Sequence, residues 1–165
     1  MIRSGIGVDS HRFQAGRPLI LGGVDIPHEE GLAGHSDADV LSHAIIDALL
    51  GAAAMGDIGM HFPDTDERFK DADSLDLLKA VVSALAENGF RIVHVDATVM
   101  MERPKLSPYR DAMRETLSAA MRIGLGHVNV KATTGERMGF VGRGEGVAAM
   151  AIATLDRPEE LASSR

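Results

Sequence analysis

The chain has 165 residues, of which 45% are hydrophobic, and it contains no cysteine. These values favour one globular domain with its own core, and they exclude disulfides and cysteine-based metal sites. The net charge of −7 argues against general binding to nucleic acid or anionic membranes, since both favour basic proteins. No apolar run approaches the roughly 20 residues of a membrane span, and the first residues read as a strand rather than a targeting segment. We therefore expect a cytoplasmic protein.

Five runs of the sequence have the alternation and composition of β-strands. They span residues 2–11, 18–26, 91–101, 128–134 and 146–155. The pair Gly22-Gly23 inside the second run suggests a tight hairpin turn. Residues 1–155 are expected to form a single domain, and residues 156–165 read as a polar C-terminal tail.

Three helices fit between these strands. Apolar residues recur at helical spacing after Ser36, from Ser74 to about residue 89, and from Ser107 to about residue 124. Ser36 and Ser107 are suitable N-caps. Two polar segments, 56–66 and 133–146, are expected to lie outside regular structure. This order predicts an α/β fold, an α+β sandwich in which helices cover one face of a mixed sheet.

Asp9 and His11 stand two residues apart in the first predicted strand. Side chains of a strand repeat with a period of two, so both are expected on the same face of the sheet. A carboxylate and an imidazole are two ligands of a divalent metal site, and His43 on the first predicted helix offers a third. Three protein ligands with a fourth position free are typical of a catalytic zinc site. The alternative is ordinary hydrogen bonding without a metal.

Residues around the first predicted helix could assist such a site. Asp47 lies one turn after His43, where it could orient the imidazole, contact a substrate hydroxyl or simply face solvent. His35 and Ser36 lie near the positive N-terminal end of the helix, which suits contact with an anion. Simple capping by Ser36 is the alternative reading.

The segment 133–146 is rich in glycine and carries charged residues. Glycines let backbone N–H groups approach phosphates, Arg143 could bind a phosphate in bidentate fashion, and Glu136 could hold a cation such as Mg²⁺. The segment matches neither a Walker loop nor a Rossmann fingerprint. Lys105, between a strand and a helix, offers a second phosphate contact. The alternative is a glycine-rich turn with solvated charges.

A set of motifs occurs in order along nearly the whole chain. It comprises Gly-Val-Asp-Ser-His-Arg-Phe at 7–13, His-Ser-Asp-Ala-Asp at 35–39, His43, Asp-Ala-Leu-Leu-Gly-Ala-Ala at 47–53, Gly-Asp-Ile-Gly at 56–59, Phe-Pro-Asp-Thr-Asp at 62–66, Val-Asn-Val-Lys-Ala-Thr-Thr at 128–134 and Gly-Arg-Gly-Glu-Gly at 142–146. As a set it closely resembles the 2-C-methyl-D-erythritol 2,4-cyclodiphosphate synthase family of the non-mevalonate isoprenoid pathway. The likeness runs from residue 6 to about residue 155.

The resemblance implies a homotrimer with active sites between adjacent subunits, zinc, and a second divalent cation, Mg²⁺ or Mn²⁺. The implied zinc ligands are Asp9, His11 and His43, and Glu136 would hold the second metal. The implied catalytic residues are His35, Asp57, Thr134 and Glu136. The methylerythritol pocket would be lined by His35, Ser36, Asp57, Gly59, Phe62 and Asp64. The cytidine and its phosphates would be held by Pro104, Lys105, Leu106, Ala132, Thr133 and Thr134.

Two further positions follow from the same resemblance. Arg143 would meet a phosphate, and Phe140 would line an apolar cavity on the trimer axis where the family can hold an isoprenoid diphosphate. The chain departs from the family pattern at four positions, which are Val8, Glu102, Arg103 and Gly135. Gly135 stands where relatives often have a third threonine, so the phosphate loop could be looser. No departure removes an implied metal ligand.

The implied reaction is an intramolecular phosphoryl transfer. The 2-phosphate of 4-diphosphocytidyl-2-C-methyl-D-erythritol 2-phosphate attacks the β-phosphorus, CMP leaves, and a cyclic diphosphate forms. Two other classes of protein compete with this interpretation. A metal-dependent phosphohydrolase would use the same three ligands to activate water and would release inorganic phosphate. A non-catalytic nucleotide-binding module would have a metal site without an open position.

Overall fold

A computed structural model describes residues 1–158 of the chain. The strands are β1 Ile2–Ala15, β2 Leu19–Leu21, β3 Val24–Ile26, β4 Glu30–Leu32, β5 Arg91–Met100, β6 Val128–Thr133 and β7 Gly146–Asp156. The α-helices are α1 Val40–Ala53, α2 Ile58–His61, α3 Ser74–Glu87, α4 Arg110–Met121 and α5 Gly139–Gly142. Within residues 1–158, no helix combines the length and the apolar character needed to cross a bilayer.

Five strands form one mixed sheet in the order β4-β1-β7-β5-β6, and β2 with β3 forms a separate hairpin. The β5–β6 pair is parallel and the other pairs are antiparallel. In this register Asp9 lies opposite Ala149 and His11 opposite Val147. The expected mixed α/β single domain is therefore confirmed, with the first and last long strands at the centre of the sheet.

The helices cover one face of this sheet, as the sequence predicted. Helix α1 lies directly on β1 and β7, and α3 packs against its other side. The helix is buried almost all round because it is enclosed by the sheet and by α3, so Leu41, Ile45 and Leu49 lie in the core. Its position over β1 is what places His43 above the first strand.

Two glycines of β1 allow α1 to approach so closely. A methyl group at Gly5 would overlap the backbone of Ala48, and one at Gly7 would overlap the Ala44 carbonyl. Small side chains of β7, such as Ala151, continue this contact surface and are fully buried. Helix and strand backbones therefore touch, and the next inward-facing residue of β1 is Asp9.

The other face of the sheet carries exposed apolar side chains. Ile6 pairs with Ile152 across β1 and β7, and Val8 pairs with Met150. These four side chains are between 40% and 62% exposed. Within the described residues of a single chain, this apolar patch on the strands stays open to solvent.

Several element boundaries differ from those predicted. The second predicted strand is two strands, β2 and β3, joined at Gly22-Gly23, which confirms the hairpin turn. The short edge strand β4 was not predicted, because three residues carry too little alternation to detect. The predicted tail begins one residue too early, since Asp156 belongs to β7 and pairs with Ile2. Residues 159–165 of that tail lie outside the described residues.

The predicted helix starts also need correction. Helix α1 begins at Val40 with Asp39 as its N-cap, not at Ser36, because Ala38 has a positive φ of 58° that interrupts the helix. Asp39 also accepts N–H bonds from Gly22 and Gly23, so it fastens the hairpin to the helix. The third predicted helix opens as a 3-10 turn over Ser107–Tyr109 before α4.

The two polar segments that were expected to lack regular structure each contain one short helix. These helices are α2 and α5. Asp57 caps α2 by accepting the N–H of Met60 at 2.9 Å. A single helical turn leaves no periodic apolar pattern, so the sequence did not reveal either helix.

Candidate metal centre and adjoining pockets

Asp9, His11 and His43 converge as predicted. The Oδ2 atom of Asp9 lies 2.9 Å from Nε2 of His11 and 3.0 Å from Nδ1 of His43. The two imidazole nitrogens are 3.3 Å apart. One ligand atom from each of the three residues lies within 4.8 Å of the other two, which fits a single divalent metal ion.

The electrostatics of the cluster favour the ionised carboxylate. Burial raises the pKa of Asp9, but hydrogen bonds and charge attraction from His11 and His43 outweigh burial, so its pKa lies well below the ordinary value. Burial likewise lowers the pKa of His11, and the Asp9 carboxylate more than offsets it, so that the net shift is upward. Asp9 therefore supplies a negative charge to whatever cation the site holds.

A cavity of about 500 Å³ opens beside the cluster. Five of the residues expected to hold the methylerythritol part line it or reach its edge, namely His35, Ser36, Gly59, Phe62 and Asp64. Apolar walls come from Ile58, Phe69 and Leu77, which the sequence did not single out. The cavity is thus polar at the metal ligands and apolar opposite them, as small-molecule sites usually are.

Asp57 and Asp47 do not line this cavity. Asp57 is exposed and caps α2, while Asp47 accepts the N–H of Ile58 at 2.7 Å. Burial raises the pKa of Asp47, and the neighbouring carboxylates of Asp57 and Asp9 add to the increase. Asp47 therefore fastens α2 to α1 instead of simply facing solvent.

The residues expected to hold cytidine form a second, smaller pocket of about 190 Å³. It lies where β5 and β6 end and includes Pro104, Lys105, Leu106, Ala132, Thr133 and Thr134. It has no lining residue in common with the cavity at the metal cluster. The two predicted groups of residues therefore line two separate pockets of one chain.

The glycine-rich segment lies beyond this pocket. Glu102 accepts the N–H of Gly135 at 3.0 Å, which fixes the turn at the position where the sequence departs from the family pattern. Glu136 follows with a positive φ of 50°, and its side chain is not part of the Asp9 cluster. Arg143 forms an ion pair with Glu145, with Nε and Oε1 2.7 Å apart, and borders a third cavity rather than the cytidine pocket.

Comparison with known protein families shows to which family the chain belongs. A model of the YgbB family matches residues 2–156. The chain belongs to the YgbB family. A relative from Desulfitobacterium hafniense, named 2-C-methyl-D-erythritol 2,4-cyclodiphosphate synthase, is 56% identical over 155 residues, which are 94% of this chain and 98% of the relative.

Solved structures agree with this membership of the YgbB family. A 2C-methyl-D-erythritol-2,4-cyclodiphosphate synthase in a form bound to CDP superposes with a TM-score of 0.86 at 38% identity, over 93% of this chain and all of the other. The bifunctional IspDF of Campylobacter jejuni superposes with a TM-score of 0.92 at 44% identity over 96% of this chain. The present chain spans 43% of that longer protein.

Two supporting residues of this YgbB-family site escaped the sequence analysis. Arg17 donates from its guanidinium to the carbonyls of Gly34 and Ser36, and so holds the segment that carries His35. Ser74, at the start of α3, contacts Nε2 of His43 at 2.9 Å. Both contacts join residues far apart in sequence, and no local pattern signals them.

Proposed function

We infer that this chain is a 2-C-methyl-D-erythritol 2,4-cyclodiphosphate synthase, a cyclising phosphorus–oxygen lyase of the non-mevalonate isoprenoid pathway. The observation that carries this conclusion is the end-to-end similarity to proteins of that name, at 56% identity. The convergence of Asp9, His11 and His43 at a cavity supports it independently. The substrate is 4-diphosphocytidyl-2-C-methyl-D-erythritol 2-phosphate, and the products are the 2,4-cyclodiphosphate and CMP.

The reaction requires no nucleophile from the protein. The 2-phosphate oxygen of the substrate attacks its own β-phosphorus, a new P–O–P bond forms, and the bond to CMP breaks. The chain must therefore fold a flexible anionic molecule so that its two ends meet, and it must offset the accumulated charge. Two pockets, one for each end of the substrate, suit this task.

We propose a zinc ion held by Asp9 Oδ2, His11 Nε2 and His43 Nδ1, with Glu136 holding a second cation, Mg²⁺ or Mn²⁺. The donor set of one carboxylate and two imidazoles fits zinc, and a carboxylate completed by phosphate oxygens fits magnesium. When bound, these ions would polarise phosphate oxygens and offset their negative charge. His35 and Ser36 lie at the cavity beside the cluster, where they would orient the methylerythritol hydroxyls or its phosphate.

The cytidine end is assigned to the second pocket. Lys105 is exposed and supplies a positive charge for the α- and β-phosphates, while Thr133 and Thr134 offer hydroxyl donors. Pro104, Leu106 and Ala132 give the apolar surface on which the base would lie. The CDP named for a solved relative is the corresponding part of the substrate.

We further propose a homotrimer in which one subunit supplies the metal half of each site and its neighbour the cytidine half. Two features of the single chain support it. The half-sites are separate, and the apolar face formed by Ile6, Val8, Met150 and Ile152 is a surface that soluble monomers rarely leave open. Phe140, 42% exposed, would then line an axial cavity able to take an isoprenoid diphosphate, and Arg143 would meet a phosphate. The cytoplasmic location stays a prediction from sequence.

The test is product analysis with the cytidine substrate, zinc and magnesium. Phosphorus NMR should show CMP and a cyclic diphosphate in equal amounts, and His43→Ala should form neither. Release of inorganic phosphate would instead identify a phosphohydrolase. Binding of the substrate without turnover would identify a nucleotide-binding module, and either result would overturn the proposed function.

A further inference from the structure

His43 has a second ring nitrogen that faces away from the metal cluster. Its Nε2 lies 2.9 Å from Oγ of Ser74 and 3.2 Å from Oγ of Ser36. Both serines are buried, Ser74 completely, so these hydroxyls need partners within the protein. The protons of this small network therefore decide which nitrogen of His43 is free to bind a metal.

Asp37 determines the direction of the bonds. One of its carboxylate oxygens accepts the Ser74 hydroxyl, and the other accepts the Ser74 backbone N–H at 3.1 Å. An ionised carboxylate only accepts, so the Ser74 proton is committed to Asp37. A lone pair of Ser74 Oγ is then left to accept a proton from His43 Nε2. Ser36 Oγ accepts the N–H of Ala38 at 3.1 Å, which leaves its own proton uncommitted, so the shorter contact with Ser74 and not Ser36 sets the direction at His43 Nε2.

In the metal-bound protein this arrangement would leave Nδ1 of His43 as the nitrogen whose lone pair faces the cluster, where it lies 3.0 Å from Oδ2 of Asp9. His11 is fixed in the opposite sense. Its Nδ1 lies 2.6 Å from the carbonyl oxygen of Ala33, so its Nε2 faces the cluster. Each imidazole thus presents its ligand atom because the other nitrogen is held by an acceptor, which is the usual support of metal-binding histidines.

We propose that Asp37 and Ser74 act as a relay of positioning residues, which holds His43 in the tautomer and orientation that bind the metal. The inference rests on the metal site assigned under the proposed function and adds two residues to it. Two backbone hydrogen bonds hold the segment around Asp37 against the segment before α3, and they make the relay rigid. The N–H of Asp37 donates to the carbonyl of Ala72, and the N–H of Asp71 donates to the carbonyl of His35.

A purely structural role for this contact predicts different behaviour. Ser74 and Asp37 could simply stabilise the start of α3, but Asp73 already caps that helix by accepting the N–H of Leu75 at 2.8 Å. Asp73→Ala is therefore a matched control. It weakens the same end of the same helix without touching His43.

The experiment measures the zinc affinity of the whole protein by competition with a chromophoric chelator, together with thermal unfolding of the metal-free protein. Ser74→Ala should weaken zinc binding by roughly 10–100-fold, the usual effect of losing an outer partner. Asp37→Asn should weaken it as well, since the amide cannot accept both Ser74 bonds. Asp73→Ala should lower the unfolding temperature and leave zinc affinity unchanged.

A second readout follows the ring proton directly. In the zinc-loaded protein, the Nε2–H of His43 should give a resonance protected from solvent exchange, and Ser74→Ala should abolish that protection. Wild-type zinc affinity in both Ser74→Ala and Asp37→Asn would refute the relay and leave the proposed function untouched. Should Ser74→Ala fail to fold, Asp37→Asn decides by the same two readouts. Full zinc binding by His43→Ala would instead refute the ligand assignment of the proposed function.

Discussion

His11 and His43 contact the same carboxylate oxygen of Asp9 through opposite ring nitrogens. The pairing of Asp9 with His11 follows from the period of a strand, so the sequence predicts it directly. The contribution of His43 depends on how α1 lies across β1, which alternation alone does not reveal. The sequence analysis offered His43 as a third ligand from its residue type and predicted helix, and the family motifs implied the same assignment.

Replacement of His43 tests its assignment as a metal ligand. His43→Ala should lose zinc and nearly all activity, with a loss of affinity larger than the roughly 10–100-fold effect of outer partners. The protein should remain folded, because little buried apolar volume is removed. Metal analysis after dialysis and circular dichroism check both parts. Full zinc occupancy in this variant would show that the ligand is another residue.

Replacement of Glu136 tests the assignment of the second cation separately. Glu136→Gln keeps the size of the side chain and removes its charge, so zinc content should stay unchanged while activation by Mg²⁺ or Mn²⁺ weakens. The measurement is activity as a function of magnesium concentration. An activation curve identical to that of the wild type would rule out Glu136 as the ligand.

At the scale of elements, the contact between β1 and α1 builds the site. Gly5 and Gly7 bring the helix backbone against the strand, and His43 then reaches Asp9. The sequence predicted both elements, but it placed the helix start at Ser36. The start depends on Asp39, whose bonds to Gly22 and Gly23 span 17 and 16 positions respectively, so no local pattern shows them.

Gly7→Ala tests this close contact. The added methyl group meets the backbone carbonyl of Ala44, which cannot rotate away, so the variant should lose at least about 1–3 kcal/mol of stability and bind zinc more weakly. Gly51→Ala on α1 is the control. Its methyl group would lie 3.8 Å from its nearest neighbour, so it should stabilise the helix by about 0.5–1 kcal/mol. Urea unfolding of both variants checks the difference, and equal effects would contradict the account.

At the scale of the whole molecule, two features of the single chain support the proposed trimer. Its sheet leaves Ile6, Val8, Met150 and Ile152 exposed, and the two groups of predicted site residues line separate pockets. Composition and periodicity predicted the layered fold, since both depend on local pattern. They did not show an open apolar face, because an apolar strand residue is predicted to be buried unless it is known which face of the sheet the helices cover.

The central claim, a catalytic site shared between subunits, is tested most directly by complementation. His43→Ala damages only the metal half and Lys105→Ala only the cytidine half, so each should be inactive alone. After mixing in equal amounts and proven subunit exchange, one of the three sites in every mixed trimer is intact, and about a quarter of wild-type activity should return. The double variant His43→Ala/Lys105→Ala is the control. Activity no higher than that of the control would contradict the shared site.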